Sequence, residues 1–246
     1  MTNIQFSDFI AHISSKSLRV LDSNIPLKDY ISLDLSKNNL VLKAIDTSSS
    51  EALGNFVFNY ITSNNAQVAF GGYNEVRNIY QRSTYFNQND DATERNIHLG
   101  LDLWIEADTS IYAPLEGTIH SFNNNENYGD YGPTLILKHN ANGVKFYTLY
   151  GHLILASISN LKKGQQFKQG EEIATLGDAT VNGDYPPHLH FQIIRDLQGG
   201  DAPGRTKADI EKVKNYRVFM SIPLFFSIQL LSLDHTSMYG RVDGPW

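Results

Sequence analysis

From Gln67 to about residue 197 the chain is cut into short apolar runs, many alternating with a period of two, closed off by Gly, Asn or Asp. This texture constrains the fold more than any other feature. The runs are QVAF, GTIHSF, TLILKH, KFYTLYGHL, EEIATLG and HLHFQII, with turn signals in NNNENYGDYG at 123–132 and NANG at 140–143. The pattern predicts a mainly β domain over 66–200, built on a mostly antiparallel sheet. Such strands need burial on one face only, which leaves the other free to form a groove.

Residues 1–65 read as a small α+β accessory region. Ile4, Phe6, Phe9, Ile10 and Ile13 suit one face of a short helix. Ser48 to Ser50 followed by Glu51 mark a helix start, with Leu53, Phe56, Val57 and Ile61 at helical spacing behind it. Between the two, ISLDLS and LVLKAI alternate and predict a hairpin around Lys37-Asn38-Asn39. Residues 201–246 form a C-terminal extension to which the sequence assigns no function. Its KADIEKVKNY stretch is charged and helical in character, and the apolar run Val218–Leu231 is too short for a membrane span and is interrupted by Pro223. The N-terminus lacks a cationic start and an unbroken apolar run, so it does not read as a signal peptide. The expectation is a cytoplasmic chain without a membrane span; a cell-envelope location requires export by another route.

A 41% apolar content supports a buried core, and a net charge of −6 with interspersed signs disfavours a nucleic-acid partner, which selects a basic face. There are no cysteines. Disulfide scaffolds, thiolate nucleophiles and cysteine-ligated zinc are thereby excluded, and any metal must be held by His, Asp or Glu.

Four of the eight histidines fall into three constellations: His98-Leu-Gly-Leu-Asp102, Tyr150-Gly-His152-Leu and Pro186-Pro-His188-Leu-His190-Phe. On a strand, side chains at i and i+2 point to one face about 6–7 Å apart, so His188 and His190 look into the same space. One imidazole can coordinate a metal while the other stands beside it. Taken alone, H-x-H fits a structural pair as well as a site, and His98 with Asp102 fits an exposed pair. Asp102 lies in an apolar run, however, where a free carboxylate is costly to bury and a cation removes the cost. Nothing near His120 or His139 in the sequence offers a ligand or partner, and both read as non-site residues; His12 and His235 lie outside the β domain and read the same way. Together the constellations meet the needs of zinc hydrolysis: three ligands, a further position for water, and proton-transfer groups close by.

HLGLD, YGHL and HLH, in that order, resemble the M23 metallopeptidases, the lysostaphin/LytM group. YAPLEGTI, the glycine spacing of KKGQQFKQGEEIATLG and PPHLHFQI strengthen the resemblance, which covers residues 95–195. It implies an antiparallel-sheet domain of the duplicated-hybrid-motif type. It also implies one Zn2+ per chain held by His98, Asp102 and His190, and a catalytic pair, His152 and His188, that moves protons and stabilises the oxyanion. The implied activity is a zinc-dependent endopeptidase cleaving stem peptides or cross-bridges of peptidoglycan through zinc-activated water. Other readings are an inactive binding or activator module, separable by zinc content, and a cytoplasmic peptidase acting on other peptides. A histidine phosphocarrier is a further rival, but it has no use for Asp102 or HLGLD. The aromatic and polar run at 71–86 precedes the first motif and could wall the groove, although packing and surface roles suit its Tyr and Arg better.

Overall fold

The structure is a computed structural model that describes residues 1–15, 17–79 and 97–197. The 201–246 extension, with KADIEKVKNY, the run Val218–Leu231 and His235, lies outside the described residues, as does the 71–86 run beyond residue 79. Among the described residues no helix is long and apolar enough to cross a membrane.

Helix α1 (Asn3–Ala11) starts from a capping box in which Thr2 and Gln5 satisfy each other's backbone N–H groups. It buries Phe6 and Ile10. Helix α2 (Ser50–Ser63) is capped by Ser49, whose hydroxyl accepts from the Ala52 N–H, and it buries Leu53, Val57 and Ile61, as their spacing predicts. Among the described residues a short α3 (Ala156–Ser159) is the third α-helix.

The strands are β1 (Tyr30–Ser32), β2 (Val68–Gly71), β3 (Glu75–Val76), β4 (Ile97–His98), β5 (Leu101–Trp104), β6 (Ser110–Tyr112) and β7 (Gly117–Asn125). They continue as β8 (Gly132–Ala141), β9 (Val144–Gly151), β10 (Gln166–Phe167), β11 (Glu172–Thr175) and β12 (His188–Ile194). Eight form one sheet in the order β1-β2-β5-β12-β9-β8-β7-β10. Every neighbouring pair in it is antiparallel except β1–β2. The β8–β9 hairpin closes through Asn142 and Gly143, both at positive φ (51° and 78°). This is the Asn-Gly turn whose twist suits two antiparallel strands. Asn123–Asn125, within one of the expected turn signals, instead extend β7.

The expected hairpin around Lys37-Asn38-Asn39 does not form. β1 pairs in parallel with β2, Tyr30 opposite Val68, and Leu33 N–H donates to the Phe70 carbonyl. Leu40–Ala44 is a 3-10 turn that begins where the Asn39 side chain accepts from the Val41 N–H. That cap competes directly with a strand ladder.

Along β5 and β12 the side chains alternate between faces. Leu101, Leu103, Leu189, Phe191 and Ile193 enter the main core, which α1 covers with Phe6 and Ile10. Trp104 points the opposite way, into a second cluster with Leu53, Val57 and Ile61 of α2. The intervening polar residues of these strands therefore look into the space beside that cluster.

Candidate metal centre and active site

The register of β12 sets His190 opposite Asp102 of β5 on one side and opposite Gly151 of β9 on the other. His98 comes from β4, just before the bend at Gly100, and His152 follows directly after β9. Residues 92 positions apart thus meet at hydrogen-bonding distance.

His98 Nε2 lies 3.1 Å from Asp102 Oδ1, His190 Nδ1 lies 3.1 Å from the same oxygen, and the two nitrogens are 2.9 Å apart. All three residues are buried. His98 donates its Nδ1–H to the Gly72 carbonyl, 2.7 Å away, so the neutral ring presents a lone pair from Nε2. A lone pair and a carboxylate oxygen then face each other, and a single proton on His190 Nδ1 cannot satisfy both. A cation within the triangle satisfies all three atoms. Bonds of about 2.0–2.2 Å to a tetrahedral ion place its donors roughly 3.4 Å apart, so the triangle needs only a slight expansion. Two imidazoles and one carboxylate suit zinc and leave a position for a reactant. Among the described residues, the buried His190 Nε2 has no hydrogen-bond partner. An orphan of this kind typically costs about 1–3 kcal/mol, which a metal bond at Nδ1 would offset.

Gly100 makes this approach sterically feasible: a Cβ there would overlap the His190 ring, coming within 2.5 Å of Nε2 and 2.9 Å of Nδ1. Gly72 has φ +99°, and a Cβ at that position would overlap the Arg77 guanidinium and approach His98 Nδ1 to 2.7 Å.

Burial would raise the Asp102 carboxyl, but His98, Arg77 and His188 outweigh it and hold the group well below the usual carboxylate range. Burial lowers His98, with the Arg77 charge acting in the same direction. Burial also carries His188 and His190 down to about 4. It takes His152 well below its ordinary value, reinforced by His188 and His190. All four rings are therefore neutral near pH 7, the state in which imidazole binds a metal or accepts a proton.

His152 and His188 stand beside the triangle with ring centroids 4.2 Å apart. His152 donates Nδ1–H to the Asn182 carbonyl at 2.7 Å, and His188 donates its own to the Pro186 carbonyl at 2.8 Å. Each ring thus has Nε2 as its accepting atom; His188 Nε2 is 3.7 Å from Asp102 Oδ1. His188 stacks on Trp104, with centroids 4.1 Å apart and planes inclined by 22°. His152 has φ +64°, a strained conformation for a non-glycine residue. The backbone around it is fixed by His152 N–H to the Tyr131 carbonyl and Gly177 N–H to the His152 carbonyl. Asn182 is fully buried and ties its loop together, donating to the Gly177 and Tyr185 carbonyls and accepting from the Tyr185 N–H.

The five residues singled out from the motifs meet in one place, and His120 and His139 lie apart from them. His139 is buried and hydrogen-bonded to the Glu116 carbonyl and Thr148 Oγ1, in contrast to the expectation that nothing nearby partners it. Sequence reasoning also passed over Arg77, treated as a packing or surface residue. It is buried, donating from Nη1 to Asp102 Oδ2 at 2.6 Å and from Nε to Glu75 Oε2 at 2.5 Å. Nothing in the sequence singles it out, since Glu75 and Arg77, two residues apart ahead of the HLGLD motif, also suit an exposed pair. Asn182 and Trp104 carry no signal beyond their place next to the motifs.

Residues 96–202 match the model of Peptidase family M23. An uncharacterized metalloprotease of Haemophilus influenzae is 34% identical over 95 residues, 39% of this chain, and the chain spans 18% of that relative's length. The catalytic domain of the antimicrobial peptidase lysostaphin from Staphylococcus simulans is 30% identical, with 42% of this chain and 71% of that one covered, at a TM-score of 0.34. A zinc-containing peptidase from Vibrio cholerae is 29% identical over 50% of this chain and 36% of its own, at a TM-score of 0.32.

Proposed function

Since residues 96–202 are a domain of peptidase family M23, we propose that this chain is a zinc-dependent endopeptidase that cleaves peptide bonds in peptidoglycan stems or cross-bridges. The observation that carries the reading is the buried triangle of His98 Nε2, Asp102 Oδ1 and His190 Nδ1, set beside two histidines with accepting nitrogens. His98, Asp102 and His190 hold the ion. When bound, it supplies Lewis acidity toward the scissile carbonyl and acidifies the attacking water.

The chain's own groups then divide the proton work. Both rings offer Nε2 as acceptor, because both Nδ1–H groups are committed to carbonyls. Either can take a proton from the attacking water, but neither can donate to an oxyanion before it has gained one. Close packing of the rings, 4.2 Å between centroids, disfavours two charges there. The pair therefore holds a single proton, gained from water at one Nε2 and passed on to the leaving amine nitrogen. Stacking on Trp104 fixes the plane of His188, and the Asn182 carbonyl fixes that of His152.

The reading is tested by metal analysis of the purified chain, together with digestion of purified peptidoglycan and of defined peptides, with cleavage sites read by mass spectrometry. About one zinc per chain and cleavage of peptidoglycan peptides are expected. Zinc with cleavage only of unrelated peptides shifts the substrate, and zinc without any cleavage indicates a binding module.

A further inference from the structure

We propose that Arg77, charge-balanced by Glu75, is a positioning residue of the metal centre that fixes Asp102 as a ligand through one oxygen only. The proposal rests on the zinc reading above. Arg77 and Glu75 lie outside the segment that matches the family. They reach the site because β3 pairs with β4, setting Glu75 opposite His98, and Arg77 follows at the end of β3.

Arg77 Nη1 donates to Asp102 Oδ2 at 2.6 Å, while Oδ1 faces His98 Nε2 and His190 Nδ1. The two carboxylate oxygens thus have separate tasks: Oδ2 is committed to the guanidinium and Oδ1 is directed at the ion. Rotation of the carboxylate toward two-oxygen binding would break the Arg77 bond. Both side chains are nearly inaccessible, 5% exposed for Arg77 and 0% for Asp102, so water cannot readily replace that bond.

A bare guanidinium beside a cation site would oppose metal binding. Glu75 counters that charge. Its Oε2 accepts from Arg77 Nε at 2.5 Å, and its Oε1 accepts from the Leu35 N–H at 3.0 Å. Arg77 is the type suited to this task, since a planar fork bonds two carboxylates at fixed angles and a lysine ammonium does not. The Gly72 carbonyl, four residues before Glu75's neighbour Val76, fixes His98 in the same way. The segment at 72–77 thereby orients two of the three ligands.

The test is zinc affinity of the full chain, measured by competition with a chromophoric chelator, for wild type, Arg77→Met, Arg77→Lys and Glu75→Gln, each checked for a wild-type circular dichroism spectrum. Loss of a partner that orients a ligand typically weakens metal binding about 10–100-fold, and Arg77→Met should fall in that range. Arg77→Lys keeps the charge without the fork and should recover only part of the affinity. Glu75→Gln should weaken binding less than Arg77→Met, because orientation survives while charge balance is lost. A purely structural role would lower the melting temperature and leave zinc affinity unchanged. If Arg77→Met does not fold, Arg77→Lys decides: wild-type affinity in it overturns the proposal. If wild type binds zinc and both folded Arg77 variants match it, positioning is refuted and the metal reading stands. A wild-type chain that binds no zinc refutes the metal reading, and this proposal with it.

Discussion

Gly100→Ala adds one methyl group and no charge or hydrogen bond, so it probes the geometry of the metal centre in isolation. Gly100 does not have a positive φ, so alanine is compatible with the backbone and the effect comes from contact alone. The new Cβ would stand 2.5 Å from His190 Nε2 and 2.9 Å from Nδ1. Restoring an ordinary carbon contact requires the ring to withdraw by roughly 1 Å, whereas a metal bond tolerates deviations of only about 0.2 Å. His190 lies on β12, between β5 and β9, so the strand cannot retreat freely and the ring must rotate out of position. Overpacking of this kind typically costs about 1–3 kcal/mol of stability, and a displacement near 1 Å at a reacting centre costs about 100-fold in rate. The assay is zinc content after dialysis against a weak chelator, cleavage of a defined peptide, and thermal melting. Gly54→Ala is the control, because its Cβ meets Pro186 at an ordinary 3.5 Å within α2. That change should keep zinc and activity, and should add up to about 1 kcal/mol from helix propensity. Stoichiometric zinc with wild-type cleavage in Gly100→Ala would refute the placement of His190 as a ligand.

His152→Ala and His188→Ala should keep near-stoichiometric zinc and lose about 10²–10⁴-fold in rate, whereas His98→Ala, Asp102→Ala and His190→Ala should lose the metal; element analysis beside cleavage assays distinguishes the groups. His139→Ala should retain zinc and activity but melt at lower temperature, since it removes a ring bonded to the Glu116 carbonyl and Thr148 in the core. The metal-free chain should lose stability as pH falls. His188 and His190 have folded values of about 4 against 6.5, so below pH 6.5 the unfolded chain binds protons that the folded one refuses. The loss runs from about pH 6.5 to 4 and amounts to roughly 3 kcal/mol for each ring, fewer if the two titrate as a coupled pair. Denaturant unfolding across that range measures it, and a flat profile would contradict the burial of these rings.

Legibility in the sequence followed the range of the interactions. The long strands β7, β8, β9 and β12 and the helix α2 announce themselves through local periodicity and caps, and the Asn142-Gly143 turn through its own chemistry. ISLDLS misled because its alternation is genuine, with Leu33 and Leu35 both buried, but its partner is Phe70 and Glu75 rather than LVLKAI. The choice between those partners depends on tertiary packing, which periodicity does not record. The grouping of His98, Asp102 and His190 was legible only from the HLGLD and HLH motifs read together with YGHL, since each motif alone fits an exposed or structural histidine. Arg77 was not readable at all. β3 is two residues long, and the Arg77–Asp102 bond spans 25 positions, so no local pattern marks it.

The place of β2 in the sheet has a practical consequence for solubility. β5 is flanked by β2 and β12. A chain trimmed to residues 96–202 would lose β1 and β2 and turn β5 into an open edge, the backbone groups along Asp102–Trp104 that face β2 left unpaired while those facing β12 stay paired. The same cut would uncover Trp104, now 2% exposed beneath α2. An apolar edge strand with an exposed aromatic face is a template for strand addition by another chain. Such a fragment should therefore self-associate during expression, whereas a chain that retains residues from Tyr30 onward keeps that edge covered.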